Sequence, residues 1–397
     1  MAFNQRPVMA GAVADMAPID IKLELLSFGV RLTPSLLANY GRPYLQKRRA
    51  YGNPDPVALR TASIPQELYL GGGALVCAVN VRLDSPWTLD YADGQFFLRC
   101  AGRQGTAAVG FPLHPRYYDQ RADDGFSVAE LATLYGGAAL GIFVYGDCAL
   151  VTAGKACHYC SIEPNRSKSS GFQSVIAPDD VYRAIVTALA LDDGSITQVM
   201  LNGGNFPDLD RNFAFYLRIA QAARRAVDAS GKALPIHLIA FPPRNRALLR
   251  ELAGLGVEVA FNTEVYDPQL FARYCPGKHA DGGQRLLFDA IEESASVLGA
   301  GRVYSIFVGG LEPLPSLRAG LAHVARLGGT PVINVFHADP ETPLAQFPVA
   351  APAAIHQMGW ALQETYQQFG ISQPFYDNCG RNSLDSEAHR RLFQRAP

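Results

Sequence analysis

No stretch of this sequence approaches the roughly 18 uninterrupted apolar residues of a membrane span, so no membrane partner is expected. Positive charge is not in excess either. Thirty-five Lys and Arg stand against 36 Asp and Glu, a formal net charge of −1. Proteins that wrap nucleic acid are usually basic, so no nucleic-acid partner is expected. The opening MAFNQRPVMAGAVADMAPID lacks the basic start and apolar core of a secretory signal, which makes the cytoplasm the expected location. Cysteine is scarce: seven in 397 residues, an odd number that argues against a full disulfide framework. No internal repeat, low-complexity tract or long charge run is present.

Against that scarcity, three cysteines fall within thirteen residues. In CALVTAGKACHYCSIEPN, Cys148, Cys157 and Cys160 are spaced C-x8-C-x2-C. Four origins are open: a metal site, a redox pair, a disulfide, or chance.

The texture of the chain changes twice. Residues 1–126 read as an irregular and then β-rich N-terminal domain. It holds one or two short helices, for example Thr33–Tyr40, and strands such as ALVCAVNVRL and GQFFLRCAG between Gly and Asp-Gly turns. Residues 127–350 alternate strand and helix. The strand segments are GIFVYGD, ITQVMLNGG, PIHLIAF, VEVAFNTEV, RVYSIFVGGLE and PVINVFHAD. Six strands alternating with helices imply parallel pairing through right-handed crossovers, with functional residues at the C-terminal strand ends. Residues 351–397 read as a final helix, AAIHQMGWALQETYQQFG, and a capping tail. The fold class is therefore α/β.

The cysteines sit in the loop after the first of these strands. A structural zinc site needs a fourth Cys or His, and His158, between the last two cysteines, is poorly placed to join them. A redox pair would leave Cys148 unexplained. Three thiolates with one metal position open suit an iron–sulfur cluster with an exchangeable ligand.

The loop resembles that of the radical S-adenosylmethionine (radical SAM) superfamily, whose common pattern is C-x3-C-x2-C with an aromatic before the last cysteine. Tyr159 fits that position, and the eight-residue first gap departs from it. Further motifs follow in the family's order. Asn202, Gly203, Gly204 and Asn205 resemble its Gly-Gly-Glu motif, with Asn205 in place of the acid. Asn262 and Glu264 in FNTEV look like the ribose-binding pair of lipoyl-synthase-like members. SIFVGGLEP is similar to G-x-I-x-G-x-x-E, with Gly309 and Glu312 on its last two positions. FHADPETPL resembles the final strand and turn. The lead-in FPLHPRYYDQ…GIFVYGDC looks like a biotin-synthase-like branch found in nitrilase-associated gene clusters.

The resemblance implies a partial (β/α)6 TIM-like barrel behind the β-rich domain. It implies a [4Fe–4S] cluster on Cys148, Cys157 and Cys160, with S-adenosylmethionine on its fourth iron and on the motif residues. It implies a flavodoxin or ferredoxin as electron donor and a small-molecule substrate. Candidate substrate residues are Lys278 and His279 in RYCPGKH, Arg244 in FPPRN, His337 and Asp339 after the sixth strand, and Cys379 and Arg381 in the polar tail FYDNCGRNSLDSE. His114–Asp119 is read as packing between the domains or as part of the substrate mouth; Cys77, Cys100 and Cys275 are scattered, Cys77 and Cys100 being read as core residues. Two other readings stay open. One is a zinc-dependent hydrolase or deaminase, with Glu163 as the only nearby acid. The other is a non-catalytic iron–sulfur redox protein.

Overall fold

The computed structural model describes residues 11–45, 64–121, 125–164 and 174–394. The irregular N-terminal stretch expected over residues 1 to about 65 lies partly outside them.

The N-terminal part holds β1 (Arg31–Leu32), β2 (Glu67–Leu70), β3 (Leu75–Ala78), β4 (Trp87–Ala92), β5 (Gln95–Cys100) and β6 (Ala107–Ala108). β1, β4, β5 and β6 form one sheet, and β2 pairs with β3. Asp93 and Gly94, at φ 51° and 79°, make the β4–β5 turn. That is the backbone an Asp-Gly hairpin requires. The Thr33 hydroxyl caps the short helix Pro34–Asn39, accepting from Leu36 N at 3.1 Å. The sequence allows a second helix in this stretch without placing it; it is the longer helix Pro18–Phe28. Every residue from Ile21 to Ser27 is buried, and a helix covered on all sides has no apolar stripe to betray it.

The second sheet carries β7 (Ala132–Tyr135), β8 (Ala139–Tyr145), β9 (Gln198–Gly203), β10 (Ile236–Ile239), β11 (Glu258–Ala260), β12 (Val303–Gly309) and β13 (Thr330–Val335). They lie side by side in that order, and β8 to β13 are parallel. Helices Pro178–Leu191, Leu209–Ala229, Gly283–Leu298 and Leu314–Arg326 make the longer crossovers. The curled sheet is the partial (β/α)6 TIM-like barrel. Two details differ from expectation. β7 is an added antiparallel strand, joined to β8 through Gly136 and Gly137, both at positive φ; the Gly-Gly pair in LYGGAAL was its readable signal. The helix read in NRALLRELAGLG is one α-turn, Ala247–Arg250, followed by a 3-10 stretch.

Alternation divides the strands. Outward residues such as Leu140, Ile142, Val199 and Leu238 pack under the helices, while inward residues meet in the lumen. The lumen has two levels. At the N-terminal strand ends, Ala139, Met200, Tyr304 and Val332 surround Phe375, Tyr376 and Cys379 of the tail. Phe375 O accepts from Gln198 Nε2 at 3.2 Å. The tail thus plugs the lower mouth and leaves the upper level, toward the C-terminal strand ends, free for a site.

Buried ion pairs latch that plug to the N-terminal part. Lys22 Nζ donates to Glu387 Oε1 at 2.6 Å and to the Gly380 carbonyl at 2.8 Å, and Arg381 reaches Glu67 at 3.3 Å. Lys22 is fully buried. Removing one partner of a buried pair strands the other charge. Lys22→Met therefore lowers the unfolding free energy by about 3–5 kcal/mol, read by urea denaturation, and adding Glu387→Leu recovers most of the loss. Equal loss in single and double variants would exclude this account.

His237, on β10 inside the plugged level, packs against the Phe375 ring at 4.6 Å. Burial pushes its imidazole down to about 3 from the usual 6.5. The folded state therefore resists a proton that the unfolded chain accepts. Stability from this group is complete above pH 6.5 and falls as pH drops toward 3, by about 1.4 kcal/mol per unit. His237→Leu flattens that part of a stability–pH profile; an unchanged slope would assign it elsewhere.

Candidate active site

The upper level holds a cavity of about 330 Å³. Its walls come from the ends of β8 to β11 and from two loops that only the fold brings together.

The first loop begins where β8 ends. Gly204 N donates to Tyr145 O at 2.7 Å and Ala149 N to Asn205 O at 2.7 Å, which ties the cysteine loop to the end of β9. The contact is close enough to demand glycine. A Cβ on Gly204 would stand 1.7 Å from Asp147 O and 2.9 Å from Cys148 Cβ, and one on Gly203 would stand 2.7 Å from Tyr145 O. Beyond Cys148, the first four of the eight intervening residues make one helical turn, Ala149–Thr152. The chain then reverses at Gly154, with φ 67°, and Lys155 N donates back to Leu150 O at 2.8 Å. Cys148 and Cys157 end on the same cavity as Cys160.

The second loop is the short helix Pro276–Ala280. It presses on the extra residues: Gly277 N donates to Lys155 O at 3.1 Å, and a Cβ there would meet that oxygen at 2.6 Å. The next residue, Lys278, enters the cavity and pairs with Glu264 at 2.5 Å. Burial alone would push the Lys278 ammonium down, but the Glu264 carboxylate and the Cys157 thiol outweigh it and hold it above its ordinary value.

Asn262 and Glu264 both line the cavity, by a route the sequence pattern does not show. β11 ends at Ala260, and Glu264 sits at φ 63°, a left-handed conformation rare outside glycine. Two bonds to β12 hold it: Glu264 N to Ile306 O at 2.9 Å and Val308 N to Glu264 O at 2.8 Å. Such strain persists where surroundings enforce it and gathers at functional sites. Asn262 Oδ1 is buried with no hydrogen-bond partner.

The thiols differ in acidity. A hydrogen bond with Cys275 holds the Cys157 thiol below its ordinary value despite burial, with Lys278 adding to the effect. Burial, then the neighbouring Cys157, pushes Cys160 up to about 12. The Tyr159 hydroxyl lies 3.6 Å from Cys275 Sγ. Cys275, fully buried in the core, is therefore also a neighbour of the site and not merely a scattered cysteine; the signal was its place in RYCPGKH, beside Lys278.

Of the residues singled out in the sequence, this cavity gathers Cys148, Cys157, Tyr159, Cys160, Asn202, Gly203, Gly204, Asn205, Asn262, Glu264 and Lys278. It does not gather the rest. Gly309 faces the helix layer, where a Cβ would meet Ile333 and Met358. Glu312 is spent on structure, accepting from Tyr266 N, Asp267 N and the Ser316 hydroxyl. Arg244 lies on an exposed loop, its backbone N held by Asp210, and His279 is exposed. Cys379 and Arg381 belong to the opposite mouth; Arg381 stacks on Tyr135 at 4.2 Å. His337 and Asp339 line another cavity. His114–Asp119 packs beside β7, where the Tyr118 hydroxyl accepts from Leu134 N at 2.9 Å. Glu163, the acid named for a zinc hydrolase, is exposed and outside the cavity; the acid that lines it is Glu264, paired with Lys278. Among the described residues no three His, Cys, Asp or Glu side chains converge on a single metal-ion position.

No protein-family model and no curated protein matches the chain. Among solved structures it is similar to HydG, a maturase of the [FeFe]-hydrogenase, with a TM-score of 0.46 and 12% identity over 63% of this chain and 56% of that one. For HydG from Carboxydothermus hydrogenoformans the values are 0.42 and 17%, over 59% and 53%. For a radical SAM methyltransferase from Sphaerobacter thermophilus they are 0.42 and 15%, over 75% and 81%. The chain thus spans little more than half the length of the HydG structures it matches. No helix among the described residues is long and apolar enough to cross a membrane.

Proposed function

We propose that the protein is a radical SAM enzyme whose centre is the cysteine cavity. The observation that carries this is convergence: three cysteines, the Asn202–Asn205 turn, Asn262, Glu264 and Lys278 border one space at the C-terminal strand ends. The donor set fits the implied groups. Three thiols border one cavity without converging on one point, as ligands to separate irons of a [4Fe–4S] cluster do, whereas a single zinc ion needs convergence. When bound, the cluster and S-adenosylmethionine supply one-electron cleavage of the C5′–S bond and a 5′-deoxyadenosyl radical that removes hydrogen from a substrate.

The chain's own part is binding and orientation. Cys148, Cys157 and Cys160 supply the thiolates. Asn262 Oδ1, buried and unpartnered, is an acceptor awaiting a hydroxyl or ammonium donor of the cofactor. Glu264 offers its second oxygen to the ribose while Lys278 holds the first and answers the cofactor's carboxylate. Asn205 supplies an amide where the family has an acid. The plug at the lower mouth keeps water from entering the lumen from below. Within the superfamily, the Asn262/Glu264 pair favours a biotin- or lipoyl-synthase-like member, working in the cytoplasm with a flavodoxin or ferredoxin. Anaerobic reconstitution tests the reading. The expected product is a brown protein with about four iron and four sulfide per chain, releasing 5′-deoxyadenosine with dithionite and S-adenosylmethionine. Zinc without iron, and no cleavage, would refute it.

A further inference from the structure

A fourth thiol lies behind the wall of the cysteine cavity. Cys157 lines the cavity; Cys275 does not, and none of its surface is exposed. Two backbone bonds join the segments that carry them. His158 N donates to Tyr274 O at 2.9 Å, and Gly277 N donates to Lys155 O at 3.1 Å. The segments run in opposite directions, so Cys157 and Cys275 each stand one residue inside the first bond, opposite one another. Their side chains share a hydrogen bond. The Tyr159 hydroxyl also reaches Cys275 Sγ, at 3.6 Å. The backbone of Cys275 is held at both ends: its N donates to Phe271 O at 2.8 Å, and its carbonyl accepts from His279 N at 2.9 Å.

This placement makes Cys275 a donor and not a ligand. It stands outside the space that Cys148, Cys157 and Cys160 border. A thiolate bound to iron has no proton to give, so of the two facing sulfurs only Cys275 can donate. Full burial favours its neutral S–H form. The Tyr159 O–H can donate to the same sulfur in turn, and bonds in such a chain strengthen one another. A hydrogen bond to a ligand sulfur draws electron density off an iron–sulfur cluster and eases its reduction.

We propose that Cys275 is a positioning residue that donates its S–H to the Cys157 sulfur and so raises the reduction potential of a cluster held there. The proposal rests on the radical SAM reading above and adds to it the residue that poises the cluster for its electron.

The test compares the reconstituted full chain with Cys275→Ala, Cys275→Ser and Tyr159→Phe. Iron and sulfide content is measured first, then the midpoint potential by EPR-monitored redox titration. All four proteins take up the same iron, because none of the changes removes a ligand. Cys275→Ala moves the reduction equilibrium against the reduced cluster by about tenfold, which is about 59 mV for one electron. Cys275→Ser keeps a donor and stays within about threefold of the unmodified protein. Tyr159→Phe moves the equilibrium in the same direction by about threefold to fivefold. An unmoved potential in Cys275→Ala, or an equal shift in Cys275→Ala and Cys275→Ser, would overturn the proposal. Loss of iron in Cys275→Ala would also overturn it, by making Cys275 a ligand. Where Cys275→Ala folds poorly, an unmoved potential in Tyr159→Phe overturns it instead. An unmodified protein that takes up no cluster refutes the radical SAM reading, and the proposal falls with it; a cluster whose potential ignores Cys275 refutes the proposal alone.

Discussion

Cys148→Ala, reconstituted with iron and sulfide, takes up no stable cluster and yields no 5′-deoxyadenosine above background, while Cys77→Ala behaves like the unmodified protein. The loss exceeds the tenfold to hundredfold typical of substitutions around a metal ligand, because under the proposed function the ligand itself is gone. Cys148 is the decisive one of the three. Its eight-residue separation from Cys157 departs from the pattern that Cys157 and Cys160 satisfy. The geometry answers the departure. The intervening residues, the first four of them one helical turn, dock on Gly277, so the longer gap does not carry Cys148 away from the cavity. Cys157→Ala and Cys160→Ala share its fate, read by iron content and product formation. A Cys148→Ala protein that still cleaves S-adenosylmethionine would break the ligand set. Cys77 is a fair control, being fully buried on β3, with its thiol pushed up to about 12 by burial.

Gly204→Ala lowers the same activity by at least about a hundredfold, the order expected when reacting groups are displaced by about an ångström. The methyl would stand 1.7 Å from the Asp147 carbonyl oxygen, backbone that cannot rotate away as a side chain would. Either β9 retreats, taking Asn205 with it, or the start of the cysteine loop does, taking Cys148. Gly254→Ala is the matched control: it has nothing within 4 Å and no positive φ. Full activity in Gly204→Ala would show that the strand ends yield without cost.

The barrel was legible because each parallel strand is a short apolar run bounded by a helix of clear periodicity. The site was legible in part. Glycines and asparagines at strand ends stood out, and Lys278 was marked by its unusual loop. Gly309 and Glu312 misled, since a motif match carries no information on which side of the strand a residue faces; β12 turns Gly309 toward the helices, and neighbouring backbone N–H groups consume the Glu312 carboxylate. The polar tail misled for another reason. Its buried polar residues, Arg381 among them, serve a latch to the N-terminal part, not a site.

By itself the sequence determined the alternation that forces parallel strands, and the three cysteines at the first strand's end. Local spacing suffices for both, because hydrophobic period and chain order are properties of neighbours. Only the tertiary structure decided that an eight-residue gap closes on itself, that Glu264 reaches the cavity through left-handed backbone, and that Cys275 belongs beside Cys157. Those outcomes rest on contacts between segments far apart in the chain, such as Gly277 on Lys155 and Glu264 on Ile306. No pattern within one segment encodes them.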